Sequence, residues 1–116
     1  MMKALRKKRA GGFTLIELIV VIAILGILAA IAIPRFAGTL NNSKLEADNS
    51  TARIIQTAVT LYRAENGDNP TFAELTTNDA YLKASELKWS SKVLITDITI
   101  DGNGNVTGYT PAKPTY

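Results

Sequence analysis

Residues 12–34 of this chain read GFTLIELIVVIAILGILAAIAIP, an apolar run with one acid, Glu17, near its start. As an α-helix, residues 13–33 span roughly 30 Å, about the thickness of a bilayer's hydrocarbon core. The run can therefore cross a membrane, and the rest of the chain has to be hung from it. Ahead of it, Lys3, Arg6, Lys7, Lys8 and Arg9 stand with no acid among them. The preference of basic flanks for the cytoplasmic side keeps that end in the cytoplasm and puts residues 35–116 across the membrane.

Glu17 needs a reason, because a carboxylate deep in a lipid-facing helix costs on the order of 3 kcal/mol even on lenient insertion scales. One reason is local. Thr14-Leu15-Ile16-Glu17 has capping-box spacing, Phe13 and Leu18 stand where a hydrophobic staple would, and an acid in the first turn suits the helix dipole. A second reason comes from Gly11-Gly12-Phe13, a small flexible site between a basic leader and an apolar helix, where a membrane-embedded peptidase could cut. Cleavage after Gly12 leaves a new amine on Phe13, four residues from Glu17.

The heptapeptide Gly12-Phe13-Thr14-Leu15-Ile16-Glu17-Leu18, followed by the apolar run with Gly26 and Pro34, resembles the N-terminus of type IV pilins. The resemblance covers about the first third of the chain. It implies removal of residues 1–12 by a prepilin peptidase, N-methylation of Phe13, and storage as a single-pass protein of the inner membrane with its N-terminus cytoplasmic. It further implies assembly into an extracellular homo-oligomeric helical filament by an inner-membrane platform and its ATPase. Phe13 and Glu17 become the assembly residues, and Gly26 and Pro34 bracket a tract that can melt. Pseudopilins of type II secretion and of competence systems share this N-terminus, so both readings stay open. Two other readings use the same residues. Ala30-Ile31-Ala32 fits a signal-peptidase site, although the apolar run is longer than a signal peptide needs. An uncleaved anchor could instead hold an unrelated binding module.

Composition narrows the remainder. The 82 residues after Pro34 are too few for a large independent core, so packing must be shared with a helix. The net charge of +3 and pI near 9.3 owe much to the leader. Its loss leaves eight bases against ten acids, so the sequence makes no case for a general nucleic-acid surface. With no cysteine there is no disulfide framework, including the C-terminal loop disulfide of many pilins. With no histidine either, the usual general base and soft metal ligands are missing, and an enzyme is not expected. Asp101-Gly102-Asn103-Gly104-Asn105 opens like a calcium loop, but Val106 replaces the required glycine and Ala112 the required glutamate. A hairpin turn explains it, with no metal or cofactor.

Past Pro34 the helix is expected to continue through residues 35–66. Its apolar stripe would be Phe36, Leu40, Ala47, Ile54, Ala58 and Leu61, widened by Ile55, Val59 and Tyr62. Its wet side would carry Lys44, Asp48, Arg53, Gln56, Arg63 and Glu65. Gly67 ends it and Pro70 prevents continuation. A capping box at Thr71 and Glu74 predicts a short helix, with a further turn at 79–82. Residues 92–100 and 105–110 read as the strands of a hairpin turning at 101–104, and a third strand is weakly marked at 87–90. The tail, 111–116, should be extended and partly mobile. The expected fold is α+β. It has four segments: a removed leader 1–12, a transmembrane and filament-core helix 13–34, an amphipathic continuation 35–67, and a small β-rich outer region 68–116 with a hairpin over 92–110.

Overall fold

The computed structural model describes residues 12–116, so the N-terminal bases and Gly11, and with them most of the expected leader, lie outside the described residues. Helix α1 runs Leu15–Asn66, followed by a short α2 at Phe72–Thr76, single 3-10 turns at Thr77–Asp79 and Ala84–Glu86, and strands β1 (Asp97–Ile100) and β2 (Val106–Thr110). This is an α+β chain with one long N-terminal helix and a two-stranded antiparallel sheet. It divides into two units, Met1–Ala37 and Gly38–Tyr116.

In the first unit the described residues from Leu15 onward are helical, and Pro34 sits inside the helix rather than ending it. Proline there removes one backbone donor, a local loss that a long helix survives.

In the second unit the core is Ile55, Ala58, Val59, Leu75, Leu82, Leu87, Trp89 and Ile95. Around it pack Tyr62, Phe72, Tyr81, Ile98, Ile100, Val106 and Tyr109. The helix thus serves as the floor a two-stranded sheet requires. Its buried face, however, is rotated from the expected stripe. Of that stripe Ala58 is buried, but Phe36, Leu40, Ala47, Ile54 and Leu61 are exposed, whereas the residues expected only to widen it, Ile55, Val59 and Tyr62, meet the core. Asp48, expected on the wet side, is fully buried. The rows 40-47-54-61 and 48-55-62 both repeat every seven residues, and the second is the one that faces the sheet.

Helix α1 ends as its sequence requires. Gly67 adopts φ +84° and its N–H reaches the Arg63 carbonyl at 2.8 Å, a left-handed conformation that costs glycine nothing. Thr71 then caps α2: its hydroxyl accepts the Glu74 N–H at 3.3 Å, and the Glu74 carboxylate accepts the Thr71 N–H at 2.7 Å. The hairpin pairs Asp97 with Thr110, Ile98 with Tyr109, Thr99 with Gly108 and Ile100 with Val106, with a bulge between Thr99 and Ile100.

Two expectations need correction. The first strand begins at Asp97 rather than at residue 92, because Lys92 sits at φ +65° in a tight reversal. That reversal pairs Lys88 with Leu94 in an isolated bridge and buries Leu87, Trp89 and Ile95, so residues 87–90 are one arm of a turn and not a strand. The tail is held at several points. The Pro111 carbonyl accepts the Trp89 indole N–H at 3.0 Å, Lys113 Nζ donates to Asn49 Oδ1 at 2.6 Å, and the Tyr116 hydroxyl donates to Asp48 Oδ2 at 2.8 Å.

Candidate assembly site

The residues that the sequence marks for processing and assembly lie at the start of the described chain. Gly12, Phe13 and Thr14 precede the helix. Thr14 caps it: the Thr14 N–H donates to Glu17 Oε2 at 2.7 Å, and the Glu17 N–H donates to the Thr14 hydroxyl at 3.3 Å. The reciprocal pair satisfies two of the donors a helix N-terminus leaves without partners. One carboxylate oxygen of Glu17 is therefore engaged within the chain, and a carboxylate has capacity for further donors.

Beyond this cap the apolar side chains find no cover. Phe13 is 89% exposed and Leu15 76%, and every large apolar residue from Ile16 to Ile33 is exposed as well. The helix contains an 18-residue window with mean hydropathy 3.0, none of it buried. Gly26 lies within this tract, and a methyl group built on it would touch nothing within 4 Å. Its lack of a side chain is thus unexplained by packing within one chain.

A second group of polar contacts was missed in the sequence. The Asp48 carboxylate accepts the Ser90 N–H at 2.6 Å, the Ser90 hydroxyl at 3.1 Å and the Tyr116 hydroxyl. Ser90 pulls the Tyr116 hydroxyl toward ionisation, but burial and the Asp48 carboxylate outweigh it and raise its pKa above the ordinary tyrosine value. Gln56 grips the hairpin with both ends of its amide, donating to the Gly104 carbonyl at 2.9 Å and accepting the Val106 N–H at 2.7 Å. Arg63 donates to the Asn103 carbonyl, and Tyr81 to Glu65. The available signal was the seven-residue spacing of Asp48, Ile55 and Tyr62, which places an acid on the same row as two core residues.

The suspected calcium-loop acid is occupied by its own turn. Asp101 Oδ1 accepts the Asn103 and Asn105 N–H groups at 2.9 and 2.8 Å, and Oδ2 accepts the Asn105 side-chain amide at 3.1 Å. Bonds from the backbone and then the side chain of Asn105 hold its pKa below the usual aspartate range. Among the described residues no cluster of three or more metal-ligating side chains forms.

The family described as the prokaryotic N-terminal methylation motif matches residues 7–33. Over 97 residues the chain is 32% identical to the type IV narrow pilus major component of Thermus thermophilus, covering 84% of each. It is 38% identical over 69 residues to the type II secretion system core protein G of Aeromonas hydrophila, covering 58% of this chain and 47% of that one. It is 47% identical over 58 residues to a type IV major fimbrial protein of Dichelobacter nodosus, covering 50% of this chain and 35% of that one. The chain thus spans most of the first relative and half or less of the other two. No solved structure gives a significant match. A capped apolar helix carrying the methylation motif, and a relative matched over most of its length, place this chain in the type IV pilin and pseudopilin superfamily.

Proposed function

We propose that this chain is a structural subunit, cut between Gly12 and Phe13, N-methylated at Phe13, and polymerised through residues 13–33 into a type IV pilus-like filament that displays residues 68–116. One observation carries the reading: the helical tract that opens at the Thr14–Glu17 cap leaves its whole apolar surface uncovered. Such a surface is stable only in lipid or against other apolar helices. Before assembly, lipid of the inner membrane would cover it, with the N-terminus cytoplasmic; in a filament, neighbouring copies would. Prepilin peptidase, an assembly platform and an ATPase are the partners this route requires. The relatives reported above are structural proteins, which agrees with a role that needs no catalysis.

Glu17 fits the filament better than lipid alone. A carboxylate enclosed by neighbouring apolar helices loses its water, and a neighbour's Phe13 amine would supply a charge-assisted bond in the same dry setting. Because Thr14 engages Oε2, the other oxygen remains available to that amine. Sliding one subunit against the next would leave both charges unmet, so the pair also sets axial register.

The alternative is a pseudopilin of a secretion or competence system, favoured by the match to the type II secretion core protein. Mass spectrometry of the intact mature chain should find N-methylated Phe13 at its start; a start at Ile33 would mean signal-peptidase cleavage and end the filament reading. Electron microscopy of sheared cells should then show filaments in the wild type and few or none with Glu17→Gln, although the variant is inserted and cut. Normal filaments in that variant would reduce Glu17 to a helix cap. Correct processing without shearable wild-type filaments would favour the pseudopilin.

A further inference from the structure

Within the unit Gly38–Tyr116, helix α1 changes character at Asp48. From residue 38 to residue 47 every side chain is exposed except the half-buried Lys44, and Asp48 is the first buried residue of the helix. The exposed stretch also reads poorly as helix, since Gly38, Thr39, Asn41, Asn42 and Ser43 all rank low in intrinsic propensity. Gly38 meets nothing where a side chain would stand, so packing does not call for it. What holds this stretch beyond its own helical bonds lies at the surface: Lys44 Nζ stands 5.7 Å over the Tyr116 ring, Glu46 pairs with Arg53 at 3.7 Å, and the Ser43 hydroxyl donates to the Thr39 carbonyl at 3.0 Å, contacts of small worth beside a buried core.

Asp48 is different. Its carboxylate bonds go to Ser90 and Tyr116, and the neighbouring Asn49 bonds Lys113. None of these partners lies upstream on the helix, so unwinding residues 38–47 breaks none of them. The four residues Asp48-Asn49-Ser50-Thr51 are moreover the side chains that a helix N-terminus prefers as caps and its interior tolerates poorly. Thr51 donates its hydroxyl to the Ala47 carbonyl at 3.2 Å; once that turn opens, its oxygen is free to cap.

We propose that residues 38–47 form an unwinding segment of α1 and that the Asp48 clamp, with caps available at residues 49–51, is the stop that keeps the opening out of the helix beneath the sheet. The device follows from the fold of this unit and does not require the filament reading. Where that reading holds, ten residues passing from helix to extended chain lengthen the subunit by about 18 Å before the stop is reached.

Hydrogen exchange on the full chain in detergent micelles tests it. In the wild type, amides of residues 42–47 should exchange at least tenfold faster than those of 55–62, with the step at 48–51. The variant Ser90→Ala/Tyr116→Phe removes both hydroxyl bonds of the clamp without changing α1, leaving Asp48 only the Ser90 N–H, and the fast stretch should then spread past residue 51 while 55–62 stays protected. If 55–62 also opens, Tyr116→Phe alone should give the same spread. Equal protection of 42–47 and 55–62 in the wild type overturns the unwinding segment. A step that stays at 48–51 in both clamp variants overturns the stop. Filaments formed or not formed by the cell bear on neither result.

Discussion

Gln56 offers the sharpest check on how the hairpin is seated on the helix. Its amide supplies a donor to Gly104, a buried residue, and an acceptor to Val106, a half-buried one. Gln56→Met keeps the length of the side chain and removes both bonds. At about 1 kcal/mol net per bond, with a further cost where the abandoned carbonyl is sealed from water, the loss should be about 2–3 kcal/mol. For a folded unit of this size that lowers the melting temperature by roughly 10–20 °C. Near-ultraviolet circular dichroism of the full chain in detergent reports it directly. Trp89 is the only tryptophan, and it stands edge-on to Tyr109 of β2 at 5.1 Å. Gln56→Glu refines the test. At neutral pH its carboxylate still accepts the Val106 N–H but faces the Gly104 carbonyl with no proton. Below about pH 4, where a glutamate protonates, it regains a donor, and its deficit against the wild type should shrink. Melting of Gln56→Met within about 2 °C of the wild type would show that the apolar contacts of Ile98, Val106 and Tyr109, with the Arg63 and Asn69 bonds to the turn, seat the hairpin without the amide, and the argument from Gln56 would fail.

Gly104→Ala should cost about 2 kcal/mol, because φ is +86° there and the added methyl would displace the Arg63 side chain from its bond to Asn103; thermal unfolding measures it. Asp101 has a depressed folded pKa, so its contribution to stability is present above its unfolded value near 4 and is lost as pH falls through the lower folded value. Asp101→Asn should therefore flatten the acid limb of a stability–pH profile, and an unchanged limb would contradict the hydrogen-bonded turn. Because that carboxylate is already bonded to its own turn, micromolar calcium should leave the melting temperature of the wild type unchanged; a rise absent in Asp101→Ala would reveal a site. In an assembled filament residues 28–32, lying between Gly26 and Pro34, should be extended rather than helical, and a map with continuous helix there would exclude melting at that tract.

Much of the chain was legible because short-range chemistry decided it. The Thr14–Glu17 and Thr71–Glu74 boxes, the helix end at Gly67 and the turn beginning at Asp101 each rest on residues within four positions of one another. The phase of the helix was not legible. Leu40, Ala47, Ile54 and Leu61 form as good a seven-residue row as Asp48, Ile55 and Tyr62, and hydrophobicity favours the wrong one. Only the position of the sheet decides which row is inside, and Asp48 is tolerated there because Ser90 and Tyr116, 42 and 68 residues away, meet its oxygens. The early part of the expected strand failed for a similar reason. Residues 92–95 have strand composition, but burying Trp89 and Ile95 together takes a reversal at Lys92. The tail looked free because its anchors are distant in sequence, Asp48 and Asn49 on the helix and Trp89 in the connector.

The cap at Thr14 also bears on a substrate's shape. A protease grips its substrate as a stretched backbone whose amides are free to pair with the enzyme, and a bond wound into a helix cannot be offered that way. By starting the helix at Leu15, Thr14 and Glu17 leave Gly12 and Phe13 unwound just ahead of an apolar helix long enough to cross a membrane. For the cleavage proposed between them, the cap acts as a spacer that keeps the scissile bond readable. Substituting Thr14 with a strong helix former such as leucine would let the first turn wind back over Phe13 and should slow cutting while leaving the recognised residues in place.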